Sequence, residues 1–226
     1  MLISLAIINF NCAASIERAI RSCQNQFRNT HEIEILVIDD KSTDDSLATL
    51  EQFGENIRLY KNLENKGAGF NSQFLLEKAR GDFFMRVDAD DYLSQFATGT
   101  LSLALTTHPY FDFAYGDLYL VNELGLKLEI LDMSNKDNLI DHGAGILFRT
   151  EVLKEVGGYN ETLRNGEDID LMLRLMKNNH KGVHLPVAFY RYYRHNSNIS
   201  KTGAHIEAKI NLRKAHSNEN RFTGFE

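Results

Sequence analysis

Cysteine is scarce in this chain of 226 residues, basic charge is not in excess, and no apolar stretch is long. Two cysteines, Cys12 and Cys23, are too few for a disulfide framework and too far apart for a CxxC redox or metal motif. They read as free thiols of a reducing compartment. No apolar run approaches the roughly 18 to 20 residues that cross a bilayer, and the start Met1-Leu2-Ile3-Ser4 lacks the basic region of a secretion signal. The cytoplasm is the expected location. With 25 Lys plus Arg against 31 Asp plus Glu, the formal charge is −6. A chain without surplus basic surface is a poor general binder of nucleic-acid phosphates. Internal repeats, low-complexity tracts and clear linkers are missing too, which predicts one interlocked domain.

What is present is enough apolar residue, 43% of the chain, to build a sizeable core. Leu2 to Ile8 is a short apolar run that reads as a buried strand entering a loop at Asn9-Phe10-Asn11. Ser15 can cap a following helix whose inner face carries Ile16, Ala19, Ile20, Cys23 and Phe27. Ile33 to Ile38 is a second strand, stopping at Asp39-Asp40-Lys41-Ser42-Thr43, where Ser42 or Thr43 can cap a helix through Leu47 and Leu50. Ile57 to Tyr60 is a third strand, and the Gly-rich loop Asn65-Lys66-Gly67-Ala68-Gly69 opens a helix with Phe70, Phe74, Leu75 and Ala79 inward. Phe83 to Val87 is a fourth strand running into Asp88-Ala89-Asp90-Asp91. Alternating strands and helices predict a parallel sheet, and ligands of such sheets bind beyond the carboxyl ends of the strands.

From Phe96 the pattern turns mixed. A helix to about His108, a strand at Phe111 to Tyr115 and a hairpin turn at Asn122-Glu123-Leu124-Gly125 are expected. Thr150 can cap a short helix ended by Gly157-Gly158, and Asp168 opens another, with Asp170 reading as a surface residue. His180 and His184 flank Gly182 and read as loop residues.

Three constellations could carry chemistry. Asp88, Asp90 and Asp91 crowd three carboxylates at the end of an apolar strand, which suits Mg2+ or Mn2+ shared with a substrate phosphate, or else a solvated turn. Asp39-Asp40 sits likewise after the second strand, where a carboxylate can accept hydrogen bonds from a base or ribose, or simply cap a helix. Lys66 and the backbone N–H groups of its Gly-rich loop lie near the same edge. Glu167-Asp168 precedes a helix, whose dipole keeps a carboxylate ionised either as a cap or as a general base. His195, among Arg191, Arg194, Asn196 and Ser197, belongs to a basic, polar segment able to meet a diphosphate.

Together these segments resemble the family 2 glycosyltransferases of GT-A fold over roughly residues 2 to 200. Ser4-Leu5-Ala6-Ile7-Ile8-Asn9-Phe10-Asn11 is similar to the family's opening strand and aromatic-Asn loop. Val37-Ile38-Asp39-Asp40-Lys41-Ser42-Thr43-Asp44 is similar to its nucleotide-binding segment, and the run from Gly81 to Asp91 to the strand ending in the metal-binding DxD. Val156-Gly157-Gly158-Tyr159-Asn160-Glu161, followed by Gly166-Glu167-Asp168, resembles the acceptor-side segment with its catalytic Glu-Asp. A dehydrogenase would instead need GxGxxG after the first strand, where Asn9-Phe10-Asn11-Cys12 stands.

The resemblance implies an α/β fold of GT-A type: a Rossmann-like, mostly parallel central sheet flanked by helices, with a mixed acceptor-side half. Residues 1–202 would form one domain, split into a nucleotide-binding half (1–95) and an acceptor-binding half (96–202), followed by a helical tail (203–226). It implies a metal-dependent, inverting transfer of a sugar from a nucleotide-diphosphate donor, UDP-sugar by default, to an acceptor hydroxyl. The setting would be bacterial-type polysaccharide or glycoconjugate synthesis, on a saccharide or lipid-linked saccharide. Asp168 would be the base, and Asp91 with Asp90 would ligate Mn2+ or Mg2+. Phe10, Asn11, Asp40, Lys66, Asp88, Asp90 and His195 would hold the donor, and Glu167 and His142 would face the acceptor. The rival is a nucleotide-sugar binder of the same fold without turnover. In the tail, His205, Lys209, Arg213 and Lys214 around Ile206, Ile210 and Leu212 form a weakly amphipathic helix. Such a tail is expected to pack on its own domain or fray, with contact to the inner face of the membrane or to a partner, self-association included, as the alternative.

Overall fold

The computed structural model describes residues 1–28, 31–194 and 202–217. In chain order the elements begin β1 (Leu2–Asn9), α1 (Ile16–Gln24), β2 (Glu32–Asp39), α2 (Ser46–Glu51), β3 (Arg58–Lys61), α3 (Ala68–Lys78), β4 (Phe83–Asp88) and β5 (Tyr92–Leu93). They continue α4 (Ala97–Thr107), β6 (Phe113–Val121), β7 (Lys127–Leu131), α5 (Lys136–Asp141), β8 (Leu147–Arg149) and α6 (Thr150–Glu155). Last come α7 (Glu167–Lys177), β9 (Gly182–Tyr193) and α8 (Gly203–Ser217).

Among the described residues one nine-stranded sheet runs β3-β2-β1-β4-β8-β6-β9-β5, with β7 paired on β6. β3, β2, β1 and β4 are parallel. β8 then runs antiparallel to both β4 and β6, which makes the second half mixed. The parallel half follows from mainly apolar runs: Ile3, Leu5, Ala6 and Ile7 on β1 and Phe83, Phe84, Met85 and Val87 on β4 are buried on both faces, as strands covered by helices on both sides must be. Each large side chain so buried contributes about 1.5 to 3 kcal/mol. Helix α1 presents Ile16, Ala19, Ile20 and Cys23 to this core, the stripe its spacing predicts.

Several local expectations are corrected. Phe27 is not part of the α1 stripe: the chain leaves the helix after Gln24, the Phe27 amide bonds the Gln95 carbonyl at 2.7 Å, and the exposed ring meets Phe96. Ser42 and Thr43 do not cap α2, because the loop after β1 claims them. The Ser42 hydroxyl accepts the Asn11 amide (3.0 Å) and the Thr43 amide donates to Asn11 Oδ1 (2.7 Å), so Asp45 takes the cap position. The inner face of α3 is Gly69, Ser72, Leu75 and Leu76, with Phe70 and Phe74 half-buried. Gly69 is required there, since a Cβ would stand 2.3 Å from the carbonyl oxygens of Asn160 and Leu163. Thr150 begins α6 but its hydroxyl donates to the Gly81 carbonyl (2.7 Å), an anchor rather than a cap. Asp170 is buried, bonding Arg174 Nε at 2.8 Å, and His184 lies on β9.

The tail helix α8 packs on the body. Lys209 and Arg213 reach Asp141 and Asp137 of α5, His216 approaches Asp170 of α7, and Leu212 lies against Gly166. Among the described residues no helix is long and apolar enough to cross a membrane.

Candidate active site

The carboxyl ends of β1, β2 and β4 and the N-terminus of α7 open on one cleft of about 440 Å3, whose wall includes Phe10, Asp40, Arg86, Asp88, Asp90, His142, Glu167 and Asp168. The acids expected from separate sequence segments therefore share one crevice, as the switch-point rule for such sheets requires.

On the nucleotide side Phe10 stands on the wall, 47% exposed as a residue, an aromatic side chain open to the cleft in an otherwise folded loop. Asn11 is elsewhere. It takes a left-handed conformation (φ 54°), which Asn tolerates, and spends its amide oxygen on the Thr43 amide instead of lining the cleft. Asp40 is buried at the cleft floor: Oδ1 accepts the Lys66 amide (2.7 Å) and Asn62 Nδ2 (2.8 Å), and Oδ2 accepts the Gly67 amide (2.9 Å). Its carboxylate thus organises the Gly-rich loop. The Lys66 ammonium turns away to Glu64, 5.6 Å from the Phe70 ring centroid, so Lys66 meets the site through its backbone N–H alone.

The acid cluster divides. Asp88 and Asp90 line the cleft, whereas Asp91 is 1% exposed, takes the Tyr193 amide on Oδ1 (2.7 Å) and is not part of the wall. Burial, with the charges of Asp90 and Asp88 beside it, pushes the Asp91 carboxyl well above the usual carboxylate range. The Asp88 amide donates to the Tyr190 hydroxyl (3.0 Å), and its Oδ1 accepts Arg86 Nη2 (3.0 Å). Two hard carboxylates from one short loop, both bordering an open cleft, form a donor set that fits a divalent cation shared with a phosphate. A second His-carboxylate group, Asp117, Asp132 and His184, has its ligand atoms within 4.8 Å of one another. None of the three lines the cleft, and His184 Nε2 already bonds Asp117 Oδ1 at 2.8 Å.

Across the cleft, Asp168 opens α7 after Gly166. Its Oδ1 accepts the Ile169 amide (2.8 Å) and its Oδ2 the Gly143 amide (3.2 Å), bonds that fix the direction of the carboxylate. Glu167 is buried against the Arg86 guanidinium; burial pushes its carboxyl up to about 7, opposed by Arg86. His142 meets the Tyr192 ring edge-on (5.4 Å), and burial holds its imidazole below the usual value against the charges of Asp168 and Asp141. His195 lies outside the described residues.

Sequence reasoning missed Arg86, Arg164, Gly143, Tyr190 and His205, all on the wall. An arginine inside an apolar strand was the available signal for Arg86, since a charge there needs a partner.

A family model described as glycosyl transferase family 2 matches residues 4–157. The GalNAc(5)-diNAcBac-PP-undecaprenol beta-1,3-glucosyltransferase of Campylobacter jejuni is 28% identical over 209 residues, covering 86% of this chain and 66% of that protein. The structure of TarS from S. aureus in complex with UDP-GlcNAc superposes with a TM-score of 0.78 at 23% identity, covering 97% of this chain and 66% of that one. The mannosyltransferase PcManGT from Pyrobaculum calidifontis, in complex with GDP-Man and Mn2+, gives 0.72 at 14% identity, covering 98% of this chain and 65% of its own. The chain spans about two thirds of the length of each of these proteins. At such identities the structures speak for the fold, and it is the GT-A glycosyltransferase fold.

Proposed function

The chain belongs to glycosyl transferase family 2, and from that premise we propose that its cleft transfers a sugar from a nucleotide-diphosphate donor, UDP-sugar in the first instance, to a hydroxyl of a saccharide or lipid-linked saccharide, with inversion. The observation that carries this is the shared wall: Phe10 and Asp40, Asp88 and Asp90, and Asp168 border a single crevice.

Phe10 offers its face to the nucleobase, and Asp40 keeps the Gly-rich loop in place beneath the nucleoside. Asp88 and Asp90 are the side chains that would hold Mn2+ or Mg2+; Asp91, buried behind them, fixes the loop to β9 and is not assigned as a ligand. The cation, when bound, supplies charge neutralisation for the departing nucleoside diphosphate. Asp168 accepts the acceptor's proton as the hydroxyl attacks the anomeric carbon from the face opposite the leaving group. A carboxylate in that role contributes on the order of 10² to 10⁴ in rate. Glu167 and His142 border the acceptor end, and a single displacement needs no covalent intermediate. Residues 1–202 act in this reading as one catalytic domain, with α8 laid over its acceptor side.

The test is thermal denaturation against UDP, GDP, CDP and ADP, each with and without Mn2+. A nucleotide at about 100 times its dissociation constant adds roughly 2.7 kcal/mol. Stabilisation by one nucleotide, deeper with Mn2+, is expected. No shift with any of them overturns the proposal.

A further inference from the structure

Arg86 is the residue whose side chain bridges the two sides of the cleft. It sits on β4, 6% exposed, with no place for its charge except among the groups it touches. Nη1 donates to Glu167 Oε1 and to Ser72 Oγ (3.2 Å), and Nη2 donates to Asp88 Oδ1 (3.0 Å). Asp88 ends β4 on the donor side, and Glu167 opens α7, one residue before Asp168.

We propose that Arg86 is a positioning residue that couples the donor side of the cleft to the helix end bearing Asp168, by holding Asp88 and Glu167 in one guanidinium fork. The proposal rests on the glycosyltransfer reading above. Two arguments support it. A guanidinium is planar and presents donors along two edges, so the two carboxylates it holds are fixed in relative position, whereas a lysine ammonium is a point charge on a flexible stem. Moreover, taking an arginine and a glutamate out of water costs enough that a buried ion pair is a poor way to stabilise a fold, and apolar replacements of similar volume often serve as well or better. A buried pair whose arginine also reaches a second carboxylate, Asp88 on the cleft wall, is explained by geometry better than by stability. Ligand that engages Asp88 then tightens the first turn of α7 through Arg86, which is how filling the donor side prepares the base.

The experiment follows amide hydrogen exchange over residues 166–172, with and without saturating UDP and Mn2+, in the wild type, in Arg86→Lys and in the double variant Arg86→Met/Glu167→Leu. Calorimetry measures the UDP dissociation constant of each. In the wild type, UDP and Mn2+ should slow exchange in the first turn of α7 at least tenfold. In both variants UDP should still bind within about tenfold of the wild-type constant while that slowing falls below twofold. Arg86→Lys retains the charge and so separates the fork from simple charge; the double variant has no unpaired buried charge and so separates coupling from loss of fold. Full protection of α7 by UDP in either folded variant overturns the proposal. Failure of the wild type to bind any nucleoside diphosphate overturns the functional reading instead, a result distinguishable from loss of coupling alone.

Discussion

The backbone amide of Gly143 donates to Asp168 Oδ2 at 3.2 Å, and a Cβ built on Gly143 would lie 2.1 Å from the Cβ of Asp168. The two residues are packed so closely that only glycine admits the bond. Gly143→Ala should therefore displace the Asp168 carboxylate while leaving the nucleotide side of the cleft intact. Turnover of the sugar donor is expected to fall about 100-fold, in the range reported for a misplaced catalytic group, with UDP affinity kept within a factor of three by calorimetry. Unaltered turnover would show that Asp168 needs no such support.

Asp168→Asn keeps the shape and removes the basic oxygen. Donor turnover should drop by about 10² to 10⁴, and the UDP dissociation constant should stay near that of the wild type. A variant that retains full turnover would remove Asp168 from the mechanism.

Phe10 and Lys66 give a paired contrast. Stacking of a base on an aromatic ring is worth about 1 to 3 kcal/mol, so Phe10→Ala should weaken UDP binding roughly 5- to 150-fold. Lys66→Ala should change it by less than twofold, because the ammonium is spent on Glu64 and only the backbone N–H reaches Asp40. Equal losses from both variants would contradict this placement.

Two buried histidines should oppose folding in mild acid. His142 and His31 both have imidazole values held below the ordinary 6.5, chiefly by burial. The unfolded chain then takes up protons before the folded one does, so the contribution of these residues is full above pH 6.5 and is lost as pH falls through that value. The Glu167 and Asp91 carboxyls, raised by burial, act in the opposite sense over the same range, so the check is a comparison of variant with wild type. In chemical denaturation the midpoint of His31→Gln relative to wild type should rise between pH 7.5 and 5.5, and a difference that does not change with pH would refute the assignment.

The Glu34 carboxylate ties three elements, accepting Ser4 Oγ (2.6 Å), the Arg80 amide (2.6 Å) and Arg58 Nη1 (2.7 Å) far from the cleft wall. Glu34→Ala leaves buried donors unmade, which costs about 1 to 3 kcal/mol. A lower melting temperature with unchanged UDP affinity is the expected result.

Much of the site was legible in the residues because it is built at the ends of locally encoded strands. The apolar runs before Asn9, Asp39 and Asp88 mark strands whatever the rest of the chain does, and the order of the elements makes them parallel, so Phe10, Asp40 and the acid cluster had to emerge at one sheet edge. What was not legible is which atom of each residue faces the cleft. Asp90 and Asp91 are neighbours with the same chemistry, yet the Tyr193 amide, brought in by β9 from 102 positions away, draws Asp91 inside. Lys66 looked like a phosphate ligand by type, but Glu64 takes its ammonium and Asp40 its amide.

The sequence by itself determined the parallel half of the sheet and the edge on which chemistry collects, because strand formation and helix periodicity depend on residues a few places apart. Tertiary structure alone decided the pairing of Arg86 with Glu167 across 81 positions, the burial of Asp91 and the close approach of Gly143 to Asp168. Those contacts depend on how β8, β9 and α7 dock against β4, and docking is set by the packing of whole surfaces, which no local stretch of residues specifies.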